Sequence, residues 1–141
     1  MKLCIFGAGA IGGLMAAKLA LKGDAEVTVI ARGPHLAAMQ AHGLRLRSDG
    51  EEITANLRCV ATAEEAGPQD YVLVTLKAHS LAGAAVQMQP LLGPETTIVS
   101  AVNGVPWWYF HGIGGTHEGR IVESVDPGGA VSRLLAPART L

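Results

Sequence analysis

The sequence has little charge and no excess of either sign. Its 11 basic and 12 acidic side chains give a net charge of -1, and charged residues make up only 16% of the chain. A surface dominated by positive charge, as nucleic-acid binding requires, is therefore excluded. So is a disordered tail, because 49% of the residues are hydrophobic. Small molecules are the expected partners. No apolar stretch is long enough to cross a bilayer without interruption, and no leader precedes the first strand-like run after Met1 and Lys2, so the expectation is a cytoplasmic protein with neither span nor signal peptide. The two cysteines, Cys4 and Cys59, are too far apart for a metal knuckle and read as small buried hydrophobes. His35, His42, His79, His111 and His117 include no helical i, i+4 ligand pair with a carboxylate partner, so no metal site is expected. Neither a G-x-S-x-G elbow nor a P-loop occurs, which removes support for hydrolase and NTPase readings. Internal repeats and low-complexity segments are also missing.

The 141 residues suffice for one domain with a real core. Lys2 to Phe6 reads as a strand, Ala10 to Lys22 as a helix stopped by Gly23, and Glu26 to Ala31 as a second strand, which together make a βαβ unit. A helix over His35 to His42 follows, and then an alternating segment from Leu44 to Asn56 that predicts a β-hairpin turning at Ser48-Asp49-Gly50. A strand over Leu57 to Val60 leads into a short helix at Ala63 to Ala66. The continuous apolar run from Asp70 to Leu76 predicts a strand buried on both faces of a parallel sheet. Ser80 to Leu92 reads as a helix and Thr96 to Val102 as a strand. Asp126-Pro127 suggests an N-cap and first turn for a helix from about Gly128 to Leu135, and Arg139 to Leu141 looks like the entry to another strand. The run Val105-Pro106-Trp107-Trp108-Tyr109-Phe110 is too aromatic for a solvent loop and should pack on something. The expected fold is α/β, a Rossmann-like doubly wound domain with a mostly parallel sheet.

Gly7-Ala8-Gly9-Ala10-Ile11-Gly12 fits G-x-G-x-x-G, a weak pattern alone, but here it follows a strand and opens a helix within a βαβ unit. Gly7 permits the tight turn, Gly9 lets the backbone approach a pyrophosphate, Gly12 lets the helix pack close to the strand, and the helix N-terminus offers unpaired N–H groups to the anion. An NAD site usually carries an acid at the end of the second strand, yet Ala31-Arg32-Gly33 stands there. A guanidinium at that point can pair with the 2′-phosphate of NADPH; otherwise Arg32 is a solvated arginine at a strand end. Lys77 and Asn103 close successive strands at the carboxyl edge of the sheet, where open α/β folds bind ligands. Each reads either as a group near the nicotinamide end of a cofactor or as an ordinary strand-end residue. His79 and Ser80, beside Lys77, read as loop filler.

Gly7 to Gly12, Arg32, Val74-Thr75-Leu76-Lys77-Ala78 and Asn103-Gly104-Val105-Pro106, in this order and spacing, resemble the N-terminal domain of the ketopantoate reductases, also called 2-dehydropantoate 2-reductases. The resemblance implies that residues 1–141 are an NADPH-binding domain, cut before a helical substrate domain. It further implies hydride transfer from NADPH to a 2-oxo acid, a step of pantothenate biosynthesis if the substrate is ketopantoate. Lys77 and Asn103 match family positions that touch the cofactor and the substrate side of the cleft. The family's proton-donating lysine lies in the second domain and has no counterpart here, since the only lysines are Lys2, Lys18, Lys22 and Lys77. The chain alone is thus expected to bind cofactor without turning over. Apolar surface including Trp107 and Trp108 is expected to be exposed or covered in a homodimer. Two alternatives stand beside this reading: a non-catalytic NADP(H)-binding module, and a β-hydroxyacid dehydrogenase relative with another substrate.

Overall fold

The alternation of apolar side chains along the strands divides the core into two layers. In β1 (Lys2–Phe6), Leu3 and Ile5 point to one face while Cys4 and Phe6 point to the other. The computed structural model describes residues 1–48 and 50–141. After β1 come α1 (Ala10–Lys22), β2 (Glu26–Ile30), α2 (Gly33–His42), β3 (Leu44–Ser48), β4 (Glu51–Ala55), β5 (Arg58–Val60), α3 (Ala63–Ala66), β6 (Gln69–Val74), α4 (Leu81–Gln87), β7 (Leu92–Ser100) and α5 (Ala130–Leu134). The main sheet runs β5-β2-β1-β6-β7 with every pairing parallel, and β3 and β4 form a separate antiparallel pair. This is the doubly wound α/β fold that the sequence leads one to expect.

One layer packs Leu3, Ile5, Val27, Val29 and Leu73 against α1, α2 and the hairpin through Ala16, Ala17, Met39 and Leu44. The other packs Cys4, Phe6, Ile30, Val72, Val74 and Ile98 under α3, α4 and α5. Each fully buried aliphatic side chain contributes about 1.5–3 kcal/mol, so the two layers hold the sheet rigid beneath its loops. Cys4 is wholly buried, which pushes its thiol up to about 12 and leaves it protonated and unreactive. Among the described residues, no helix is long and apolar enough to cross a membrane. The hairpin predicted over Leu44 to Asn56 is present, while the Asp49 of its predicted turn lies outside the described residues.

Four expectations are corrected. The helix predicted over Ser80 to Leu92 is shorter, because Pro90 has no N–H for the ladder and its ring clashes with the preceding turn. A 3-10 turn at Gln89–Leu91 replaces the last part, and β7 starts at Leu92 rather than Thr96. The register shifts between Gln69 and Tyr71, where Gln69 pairs with Leu92 but Tyr71 with Thr97, so the extra residues bulge out of the ladder. The helix predicted from Gly128 begins at Ala130, since Gly128 and Gly129 take left-handed φ values of 62° and 71°. Asp126 still caps it, from further away: its buried carboxylate accepts from Val131 N at 2.6 Å, Ser132 N at 3.0 Å and Ser132 Oγ at 2.6 Å. Trp107 is buried, not exposed, and its Nε1–H donates to the Leu135 carbonyl at 3.0 Å. Trp108 stacks edge-on against it at 4.3 Å and is half-buried. Trp107 and Trp108 therefore pack against α5 within the chain, while Val105 and Tyr109 of the same run are exposed.

The predicted strand entry at Arg139 to Leu141 lies beside β7. Thr140 bridges Ile98 in parallel, Leu141 N donates to Ile98 O at 2.8 Å, and Ser100 N donates to Leu141 O at 2.9 Å.

Candidate functional site

The chain runs from β1 outward through β2 to β5, then returns to the other side of β1 as β6. The strand order thus reverses between β1 and β6, and the loops leaving their carboxyl ends diverge to open a crevice. The register fixes what meets there. Phe6 pairs with both Ile30 and Val74, and Val74 pairs with Ser100. Arg32 stands two residues beyond Ile30, and Lys77 and Asn103 each stand three beyond their paired positions. All the predicted site residues consequently lie along one edge of the sheet.

The glycine loop is built by close contacts. Gly7 has a φ of 117°, which side chains rarely tolerate, and a Cβ on Gly12 would lie 2.0 Å from the Gly7 carbonyl oxygen and 2.5 Å from Thr75 Oγ1. Only hydrogen fits at Gly12. Thr75 locks the loop to the neighbouring strand, its hydroxyl donating to Gly7 O at 2.6 Å. Gly9 differs: a Cβ there would meet nothing within 4 Å. Gly9 also occupies the N-cap position of α1, where no side chain caps the helix and no acid lies in the first turn. A thirteen-residue helix thus presents uncapped N–H groups and the positive end of its dipole beside open space. An anionic diphosphate has the size and charge to fill it.

Beyond the loop, Phe6 and Ile30 floor two adjoining lobes of about 340 and 380 Å³. Thr62, Ala63 and Glu64 wall the first, and Gly7, Leu76, Gly83 and Ala84 wall the second. Arg32 and Gln87 line both lobes, and the Arg32 guanidinium donates to Gln87 Oε1. This places Arg32 at the end of the crevice that lies beyond β2. Lys77 and Asn103 are exposed at the opposite end, and among the described residues neither side chain has a hydrogen-bond partner. Their cation and amide remain available to a ligand. His79 and Ser80 form a 3-10 turn with Ala78, and Ser80 lines the second lobe.

Sequence reasoning missed several residues of this edge. His35 Nε2–H donates to the Ala8 carbonyl at 3.0 Å, and with Arg45 it borders a hollow of about 280 Å³ on the far side of Gly9. Its place in the first turn of a helix that follows the second strand was the available signal. Gln87 gave none by itself, since its partner stands 55 residues away in sequence, and Thr75, though part of the Val74 to Ala78 motif, gave no sign of its bond to Gly7, 68 residues away. Among the described residues, no group of three or more His, Cys, Asp or Glu side chains is placed to hold a metal ion.

Residues 3–106 match the family model described as ketopantoate reductase PanE/ApbA. A 2-dehydropantoate 2-reductase of Mesorhizobium japonicum is 57% identical over 141 residues, which is 100% of this chain and 43% of that protein. Among solved structures, a Ralstonia solanacearum MolK2 protein assigned to the ketopantoate reductases aligns with a TM-score of 0.89 at 42% identity, over 98% of this chain and 42% of the other. The 2-dehydropantoate 2-reductase of Porphyromonas gingivalis W83 aligns with a TM-score of 0.69 at 35% identity, over 74% of this chain and 39% of the other. The chain spans less than half the length of each of these relatives.

Proposed function

The chain belongs to the ketopantoate reductase family, and from that premise we propose that its 141 residues form the NADPH-binding domain of a reductase acting on 2-oxo acids. The observation that carries this reading is the uncapped N-terminus of α1 beside the open space at Gly9, with Arg32 two residues beyond β2 at the adenosine end. The loop from Gly7 through Ala8, Gly9, Ala10 and Ile11 to Gly12 would hold the pyrophosphate through its N–H groups, and Arg32 would hold the ribose 2′-phosphate. The chemistry such a cofactor supplies is a hydride for a carbonyl carbon. A ketone that accepts it gathers negative charge on oxygen, which a nearby cation or amide N–H stabilises. Lys77 and Asn103 are the groups at the sheet edge able to serve there, Lys77 by charge and Asn103 by orienting the reacting ends. Ketopantoate is the substrate that the relatives' names suggest.

A graft tests this reading. Replacing the aligned part of the Mesorhizobium japonicum relative with this chain should give a protein that oxidises NADPH when ketopantoate is added and releases the 2-hydroxy acid. In that chimera Lys77→Ala should lower turnover by about 10²-fold or more while retaining cofactor binding. A chimera that folds and binds NADPH but reduces neither ketopantoate nor a panel of other 2-oxo acids would refute the assignment.

A further inference from the structure

We propose that Gln87 sets cofactor selectivity by acting on Arg32: it is a positioning residue that holds the guanidinium across the adenosine end of the crevice without neutralising it. The proposal rests on the reading of Arg32 as the partner of a ribose 2′-phosphate. Arg32 starts at the N-cap of α2, and its side chain crosses the crevice to the last residue of α4, where the guanidinium donates to Gln87 Oε1. The two residues border both lobes above Phe6 and Ile30, so their hydrogen bond forms the boundary between the lobes. Gln87 is well anchored for this task, because Ala84, Ala85 and Met88 around it are buried in the core while its own side chain is exposed.

The chemistry of the partner matters. A free arginine loses side-chain entropy when it pairs with a ligand, and a contact that fixes it beforehand removes part of that loss. A carboxylate would fix it equally well but would cancel its charge and repel a phosphate. Among the described residues no carboxylate lies within 4.0 Å of the Arg32 guanidinium, although Glu64 lines the same lobe. The neutral amide of Gln87 orients the cation and leaves its charge, with most of its N–H donors, facing the crevice.

Titrations of NADPH and NADH into the protein and five variants, followed by fluorescence of the reduced nicotinamide, test the proposal. Gln87→Met keeps the side-chain volume without the acceptor, and it should weaken NADPH binding about twofold to tenfold with NADH binding unchanged. Gln87→Glu should weaken NADPH binding further, because the new carboxylate pairs with Arg32. In an Arg32→Ala background both Gln87 changes should lose their effect on the ratio of the two affinities. Equal weakening of both cofactors, no change in either, or an effect that persists without Arg32 would each overturn the proposal. If Arg32→Ala itself leaves the cofactor preference intact, the reading of Arg32 fails and the proposal fails with it. If Arg32→Ala erases the preference while Gln87→Met leaves it alone, the proposal fails by itself. Arg32 and Gln87 are both exposed, so matching melting temperatures should accompany all five variants.

Discussion

Gly9→Val is expected to fold as the parent protein does and to bind neither NADPH nor NADH. Gly9 has a φ of -75°, which any residue adopts, and a Cβ there would touch nothing within 4 Å, so the fold gives valine no reason to be destabilising. The open space there adjoins the α1 N-terminus, where a bound diphosphate would need direct contact with N–H groups. Filling it should raise the dissociation constants of both cofactors by about 10²-fold or more, the loss of two or more charge-assisted hydrogen bonds. Thermal melting and a cofactor titration on the same preparation check both halves. A valine variant that melts normally and binds normally would mean that the loop is structural and the diphosphate lies elsewhere.

Gly12→Ala should do the reverse and damage the fold itself. Its Cβ would lie 2.0 Å from the Gly7 carbonyl oxygen and 2.5 Å from Thr75 Oγ1, and one of these is backbone in a loop already held by the Thr75 hydroxyl. Relief requires α1 to move away from β1, which opens the layer that Ala16, Ala17, Ile5 and Val29 fill. Overpacking of this kind costs about 3 kcal/mol or more. For a chain of this size that lowers the melting temperature by roughly 10 °C. Denaturation curves of the parent and the alanine variant measure it, and coincident curves would show that the contact between α1 and β1 yields more easily than the geometry states.

The two glycines were legible in the sequence because their spacing is a local pattern bound to strand, turn and helix. The same holds for β1, β2 and β6, whose apolar runs or alternations fall between clear stops. What the sequence left hidden was set by distant contacts or by competing local signals. Leu91 and Leu92 continue the apolar content of α4 but fall beyond the break that Pro90 imposes, so strand and helix could not be separated there by pattern. Asp126 was recognisable as a cap, yet its helix starts four residues later because two left-handed glycines intervene. The burial of Trp107 depends on α5 folding back to offer the Leu135 carbonyl. At the site, Gly7 to Gly12, Arg32, Lys77 and Asn103 could be found from strand ends, because the end of a parallel strand fixes where its loop emerges. Gln87 could not, since it reaches the crevice from a helix whose phase relative to β2 only the packed fold defines.

The proposed preference of this chain for NADPH over NADH through Arg32 is open to a paired titration. In the unmodified protein, NADPH should bind tighter than NADH by about tenfold to a hundredfold, corresponding to the roughly 1.5–3 kcal/mol of a charge-assisted hydrogen bond. Arg32→Ala should bring the two dissociation constants together by weakening NADPH alone. Equal affinities in the unmodified protein, or a preference that survives Arg32→Ala, would overturn the assignment of Arg32 to the 2′-phosphate.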